Sequence, residues 1–277
     1  MIRCVVALAC EARPLITRYR LARSQTPGPF PLYLGDRMLL VVSGPGKISA
    51  AAAVAYVQGL STADPTASST QPCSAWLNFG IAGHQSLTLG TPFMAHKIID
   101  PASQQTYYPA FPFKPLSTTS SLTTVDLPET AYPALSGYDM EAAGFWPTAN
   151  RFCSSEMVHC VKIVSDNPDH PTTTLNKHIV EELCAASIDL IDALVDTLSA
   201  LDSQYTLQTQ DPPFLPECKK KWRFSVTQTH QLRHLLSRWQ ALRLAEPPWP
   251  PAPERLPSGR HLLRYLENQL EQQPFPL

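Results

Sequence analysis

Three carboxylic acids stand where a carboxyl group can do proton chemistry: Glu11, Glu141 and Asp166. Glu11 follows an apolar run, Ile-Arg-Cys-Val-Val-Ala-Leu-Ala, over residues 2–9. Asp166 follows another, Val-His-Cys-Val-Lys-Ile-Val-Ser, over 158–165. Glu141 lies in Asp139-Met140-Glu141-Ala142-Ala143. Burial at a strand end raises a carboxyl pKa, so such a group can carry a proton near neutral pH and act as a general acid. An ionised carboxylate instead accepts hydrogen bonds from water or sugar hydroxyls. Two glycine-bearing segments accompany them, Ser43-Gly44-Pro45-Gly46-Lys47 and Asn78-Phe79-Gly80-Ile81-Ala82-Gly83. Gly80 and Gly83 permit close backbone approach to a ligand.

Each residue also has a plainer reading. Asp166 can cap a following helical turn, with Asp169 three residues on. Glu141 can face solvent on an Ala-rich helix, although Met140 and Ala142-Ala143 read as buried. Glu11 suits a helix N-terminus. Lys47 suits a solvated helix start or an anion site. Local spacing leaves these alternatives open.

The elements that must position these groups follow from periodicity. Residues 2–9, 75–79, 93–99 and 158–165 read as buried strands. Residues 32–34 and 37–43 read as a hairpin turning at Gly35-Asp36. Helices are predicted over 48–60, from 138 to 146, and over 174–201. Pro14 allows only a first helical turn in 11–19. Residues 61–72 read as a surface loop, Gly80–Gly83 as a turn, and 101–137 as Pro-, Thr- and Ser-rich with little pattern. Strand, turn and helix in this order argue for a layered α/β domain with ligands at the carboxyl ends of its strands.

Composition bounds the class. The 277 residues carry a formal net charge of −1, with 44% hydrophobic and 16% charged residues, which suits a globular chain and gives no global pull toward nucleic acid or membrane. Pro is abundant at 28 and Gly scarce at 11. Seven scattered cysteines show no zinc spacing and read as reduced, buried thiols. Residues 1–10 read as a first strand rather than a lipoprotein signal, and no apolar stretch is long enough to span a bilayer.

Taken together and in order, Glu11, Ser43-Gly44-Pro45-Gly46-Lys47, Asn78 to Gly83, Asp139-Met140-Glu141-Ala142-Ala143 and Val164-Ser165-Asp166 resemble the nucleoside phosphorylase superfamily. The likeness is greatest to its methylthioadenosine/S-adenosylhomocysteine nucleosidase-like branch and to the futalosine hydrolase and hopanoid-associated phosphorylase groups. It covers residues 1–200. The resemblance implies a three-layer α/β domain over 1–203 with a mixed central sheet, and cleavage of the N-glycosidic bond of a nucleoside-like metabolite. Asp166 would protonate the base, Glu11 would orient water, Glu141 would bind ribose hydroxyls and Met140 would pack on the sugar. Gly80, Ile81, Ala82, Gly83 and Ser165 would line the substrate. Relatives have a longer insertion at 101–137; here Tyr107, Tyr108, Phe111 and Phe113 can stack on a base or form core.

Water is favoured over phosphate as nucleophile. Ile81 stands where relatives often place Ser or Thr, and no Arg follows Gly83 closely, although Arg13, Ser43 and His84 can rebuild an anion site. Phosphorolysis at the same site is the alternative. A catalytically weak nucleoside-binding protein acting through its C-terminal helices is another. No metal and no cofactor are expected, and the resemblance implies a cytoplasmic homo-oligomer.

Residues 204–277 read as a Pro-rich, basic, helical extension, with ten Lys and Arg against six Asp and Glu from residue 205. Helices are expected over 229–244 and 258–272. Trp222, Arg223, His230, Arg233, His234, Arg238 and Trp239 can bind nucleic acid or a phosphorylated group. A docked amphipathic helix explains them as well, and nucleic acid is not the expected partner.

Overall fold

The computed structural model describes residues 1–62, 75–172, 175–209, 211–242, 244, 247–250 and 256–272. The chain forms two compact units, Met1–Gln208 and Thr209–Leu277.

Four parallel strands form the centre of the first unit. They are β1 (Ile2–Val6), β4 (Met38–Val42), β5 (Trp76–His84) and β10 (Val158–Asp166), ordered β4-β1-β5-β10. The short strands β2 (Ala22–Arg23) and β3 (Leu32–Leu34) extend the β4 edge antiparallel. On the other side β6 (Pro92–Asp100) runs antiparallel to β10, and β8 (Thr118–Thr124) runs parallel to β6. β9 (Gly137–Asp139) bonds to both β8 and the end of β5, so β5-β10-β6-β8-β9 closes on itself. β7 (Gln105–Tyr107) pairs with β6. The sheet is mixed, as expected.

The apolar runs are continuous because both sheet faces are covered. In β1, Ile2, Cys4 and Val6 pack into one core, with Leu15 of α1 (Ala9–Arg18), Cys184 of α4 (Lys177–Ala186) and Leu194 of α5 (Ile188–Thr209). Val5 turns to the opposite core, with Val54 of α2 (Lys47–Thr62) and Phe145 of α3 (Ala142–Ala149). Each such large side chain, fully buried, stabilises the fold by about 1.5–3 kcal/mol before packing adjustments. Three layers result.

Several local readings change. α1 begins at Ala9 and runs to Arg18 through Pro14, where the ring costs the helix one i→i−4 backbone bond without ending it. Gly80, Ile81, Ala82 and Gly83 are not a turn but the second half of β5. The expected helix from 138 starts only at Ala142, because 137–139 pair as β9. The periodic stretch 174–201 is two helices parted at Ser187. The region 101–137 holds β7 and β8. Residues 61–62 end α2, and the rest of the expected loop 61–72 lies outside the described residues.

The second unit contains α6 (Leu215–Lys221), α7 (Val226–Ala241) and α8 (Gly259–Glu271). It has its own core, in which Trp222, Trp239 and Trp249 meet Leu232, Leu262 and Leu266. Trp222 donates its indole N–H to the Leu256 carbonyl at 2.7 Å. Trp222 and Trp239 are therefore core rather than exposed stacking platforms, and Arg233 pairs with Asp211. Among the described residues, no helix is long and apolar enough to cross a membrane. Cys4, Cys10, Cys160, Cys184 and Cys218 are buried free thiols, Cys153 is half-buried, and Cys73 lies outside the described residues.

Candidate active site

A cavity of about 440 Å³ opens at the carboxyl ends of β1, β5 and β10. Its wall includes Glu11, Glu141 and Asp166, together with Ile81, Ala82, Gly83, Met140 and Ser165. Of the residues expected from the sequence to form the site, Tyr107 and Gly80 are absent from this wall. Tyr107 stacks on Trp146 at 5.4 Å instead. Phe111 and Phe113 pack around the His159 ring, and Tyr108 is exposed. Among the described residues, the aromatic on the cavity wall is Tyr138, the middle residue of β9.

Glu11 is buried, although it occupies the first turn of α1. Its Oε2 accepts from the backbone N–H of Leu8 at 2.8 Å and of Ala7 at 3.0 Å. Its Oε1 accepts from Ile81 N–H at 2.9 Å. Three of about four acceptor positions are thus filled from the backbone, leaving one for water or substrate. Burial pushes the Glu11 pKa up to about 7, against the Lys162 charge and the backbone donors.

Gly80 is required by this placement. A Cβ there would sit 2.6 Å from Glu11 Oε1. Gly83 does the same for the acid at the neighbouring strand end, since a Cβ would collide with Asp166 Oδ2 and lie 2.8 Å from the Tyr132 ring. These glycines make room for carboxylates of the protein itself, and Gly83 also lines the cavity.

Asp166 ends β10. Helix α4 begins eleven residues later and is capped by Asn176, so Asp166 does not cap it. Its Oδ1 accepts from Ser165 Oγ at 2.5 Å, and Tyr132 donates its hydroxyl to Oδ2.

Glu141 stands at the N-cap position of α3, not on its solvent face. Its Oε1 accepts from Gly46 N–H at 2.9 Å. Gly46 adopts φ +99, a conformation open to glycine and costly for other residues. Burial raises the Glu141 pKa, with Lys162 opposing.

Lys162, in mid-β10, is a buried cation that the apolar pattern of the strand conceals. Its ammonium reaches Asp139 Oδ2 at 2.9 Å and Glu141 Oε2 at 3.6 Å. Burial opposes its charge, yet Asp139, Glu141 and Glu11 outweigh burial and hold its pKa above the ordinary value. Asp139 also accepts from Thr124 Oγ1 at 2.7 Å and from Ala142 N–H at 2.9 Å, which fixes the start of α3.

The three groups expected from the sequence to be able to rebuild an anion site are engaged elsewhere. Arg13 pairs with Glu181 on the surface. Ser43 Oγ donates to the Gly44 carbonyl at 2.7 Å. His84 accepts from Ser86 and Leu87 N–H through Nδ1, and its Nε2 meets Ser120 Oγ; burial lowers its pKa. Lys47 is paired with Asp100 and Asp126. Among the described residues, no group of His, Cys, Asp and Glu could hold a metal ion.

No family model matches the sequence, and a search of curated proteins finds no match. Solved structures do match. A methylthioadenosine/S-adenosylhomocysteine (MTA/SAH) nucleosidase is 21% identical, with a TM-score of 0.57, covering 72% of this chain and 95% of its own. The 5'-methylthioadenosine nucleosidase of Arabidopsis thaliana is 19% identical, with a TM-score of 0.58, covering 71% and 95%. The 5'-methylthioadenosine/S-adenosylhomocysteine nucleosidase of S. pneumoniae, solved with a transition-state inhibitor, is 18% identical, with a TM-score of 0.51, covering 72% and 99%. This chain has the fold of the MTA/SAH nucleosidases.

Proposed function

We propose that the protein hydrolyses the N-glycosidic bond of a nucleoside-like metabolite. The observation that carries this reading is one cavity lined by Glu11, Glu141 and Asp166, with no Lys, Arg or His among its described wall residues. The fold shared with nucleosidases supports it.

Each group has a task. Asp166 gives a proton to the departing base nitrogen as the C–N bond breaks and its electron pair moves to the base. Glu11 accepts a proton from the water whose oxygen bonds to the anomeric carbon; burial, which pushes its pKa up to about 7, favours its taking that proton near neutral pH. Glu141, held by Gly46 and Lys162, accepts the sugar hydroxyls, and Met140 covers the sugar. Positive charge that develops on the sugar meets a cavity rich in carboxylates. The same charge pattern disfavours bound phosphate, since the basic and hydroxyl groups nearest in sequence are committed elsewhere.

Turnover in ¹⁸O-water tests the nucleophile. Hydrolysis puts the label on the anomeric hydroxyl of the released sugar. A sugar phosphate formed only when phosphate is present would overturn the choice of water. The second unit and an assembly of several copies have no assigned part in this chemistry.

A further inference from the structure

We propose that Tyr132 is a positioning residue for Asp166, holding one oxygen of the carboxyl before and after its proton leaves. This rests on the reading of Asp166 as the acid.

Tyr132 is 4% exposed, and its hydroxyl donates to Asp166 Oδ2. Its backbone has φ +46, a region that non-glycine residues seldom occupy and that persists only when the surroundings fix it. The surroundings do so from three sides. Glu129 Oε1 accepts from Thr130 and Ala131 N–H at 2.9 and 2.8 Å, shaping the preceding turn. Ala134 N–H donates to the Tyr138 hydroxyl at 2.8 Å, tying the following turn to the cavity wall. The Tyr138 ring meets Tyr132 edge-on at 5.8 Å. Gly83 supplies the space, since a Cβ there would strike the Tyr132 ring and Asp166 together.

The type of partner fits an acid that cycles. A phenol donates to an ionised carboxylate and accepts from a protonated carboxyl, so the contact survives both states. Ser165 Oγ, on the other oxygen, has the same property. A Lys or Arg there would favour the ionised form alone, and the buried Lys162 is paired with Asp139 and Glu141 instead.

The test compares two leaving groups. A nucleoside base leaves with a proton from the acid; 4-nitrophenolate leaves from 4-nitrophenyl riboside without one. For Tyr132→Phe, kcat on a nucleoside cleaved by the wild type should fall about 10- to 100-fold, with KM changed by less than about threefold, while 4-nitrophenyl riboside turnover stays near wild type. Tyr132→His, which retains a ring N–H donor, should recover part of the nucleoside rate, and it carries the comparison if the Phe variant does not fold. Equal loss on both substrates, or loss on neither, overturns the proposal. A wild-type protein that cleaves the nitrophenyl riboside but no nucleoside, or neither, removes the acid reading itself and this inference with it.

Discussion

Lys162 Nζ lies 2.9 Å from Asp139 Oδ2, with the two side chains 1% and 0% exposed. This pair joins the middle of β10 to the residue before Met140-Glu141, and Glu141 Oε2 lies 3.6 Å from the same ammonium. A buried pair of this kind contributes little net stability as a whole, but removing one partner strands the other. Lys162→Met should therefore destabilise the protein by about 3–5 kcal/mol in urea or guanidinium unfolding. A loss below about 1 kcal/mol would show that the carboxylates do not depend on Lys162.

Glu11 makes stability depend on pH. Its pKa rises from 4.5 to about 7 on folding. Between those values the folded protein holds a proton that the unfolded chain has released, so stability falls as pH rises. The contribution is complete below pH 4.5 and lost as pH passes through about 7, to a total of about 3 kcal/mol. Wild-type protein should melt at a lower temperature at pH 8 than at pH 5. Glu11→Gln should flatten that slope. An unchanged slope in the variant would assign the dependence to other groups.

The two glycines of β5 give a steric prediction. Gly80→Ala and Gly83→Ala should each lower activity by about 100-fold or more, by displacing Glu11 and Asp166. Gly59, in α2, is the control, because a Cβ there meets nothing within 4 Å. Gly59→Ala should retain activity and gain up to about 1 kcal/mol from helix propensity. Full activity in Gly83→Ala would mean that Asp166 need not sit where the structure places it.

Glu141→Gln separates binding from chemistry. Gln can still accept from Gly46 N–H, but it no longer carries the charge that pairs with Lys162 or a second anionic oxygen for a sugar diol. KM for a ribosyl substrate should rise at least about tenfold, while a 2'-deoxy substrate loses less. Equal losses on both would remove the sugar-hydroxyl role.

The parts of the fold legible in the sequence are those buried on both faces. β1, β5 and β10 read as apolar runs because helices cover both sides of the sheet, and Glu11 and Asp166 stand out by following such runs. The same rule hid Lys162, whose charge is satisfied inside the run by carboxylates distant in sequence. β8, Thr-Thr-Ser-Ser-Leu-Thr-Thr, read as loop because it is polar. It is a strand because hydroxyls find buried partners, with Ser120 on His84, Thr123 on Ser136 and Thr124 on Asp139. Tyr132 had no local signal, since its role depends on a space that Gly83 leaves open from another strand. Tyr107 drew attention as an aromatic in a polar stretch, yet its pairing in β7 turns it onto Trp146.

The central claim is that Asp166 and Glu11 cleave an N-glycosidic bond with water. Release of free base from a panel of nucleosides, followed by HPLC in phosphate-free buffer for wild type, Asp166→Asn and Glu11→Gln, tests it most directly. The account predicts base release by the wild type without phosphate, and a loss of about 100-fold or more in each variant. Base release that requires phosphate, or that persists at the wild-type rate in Asp166→Asn, would contradict it.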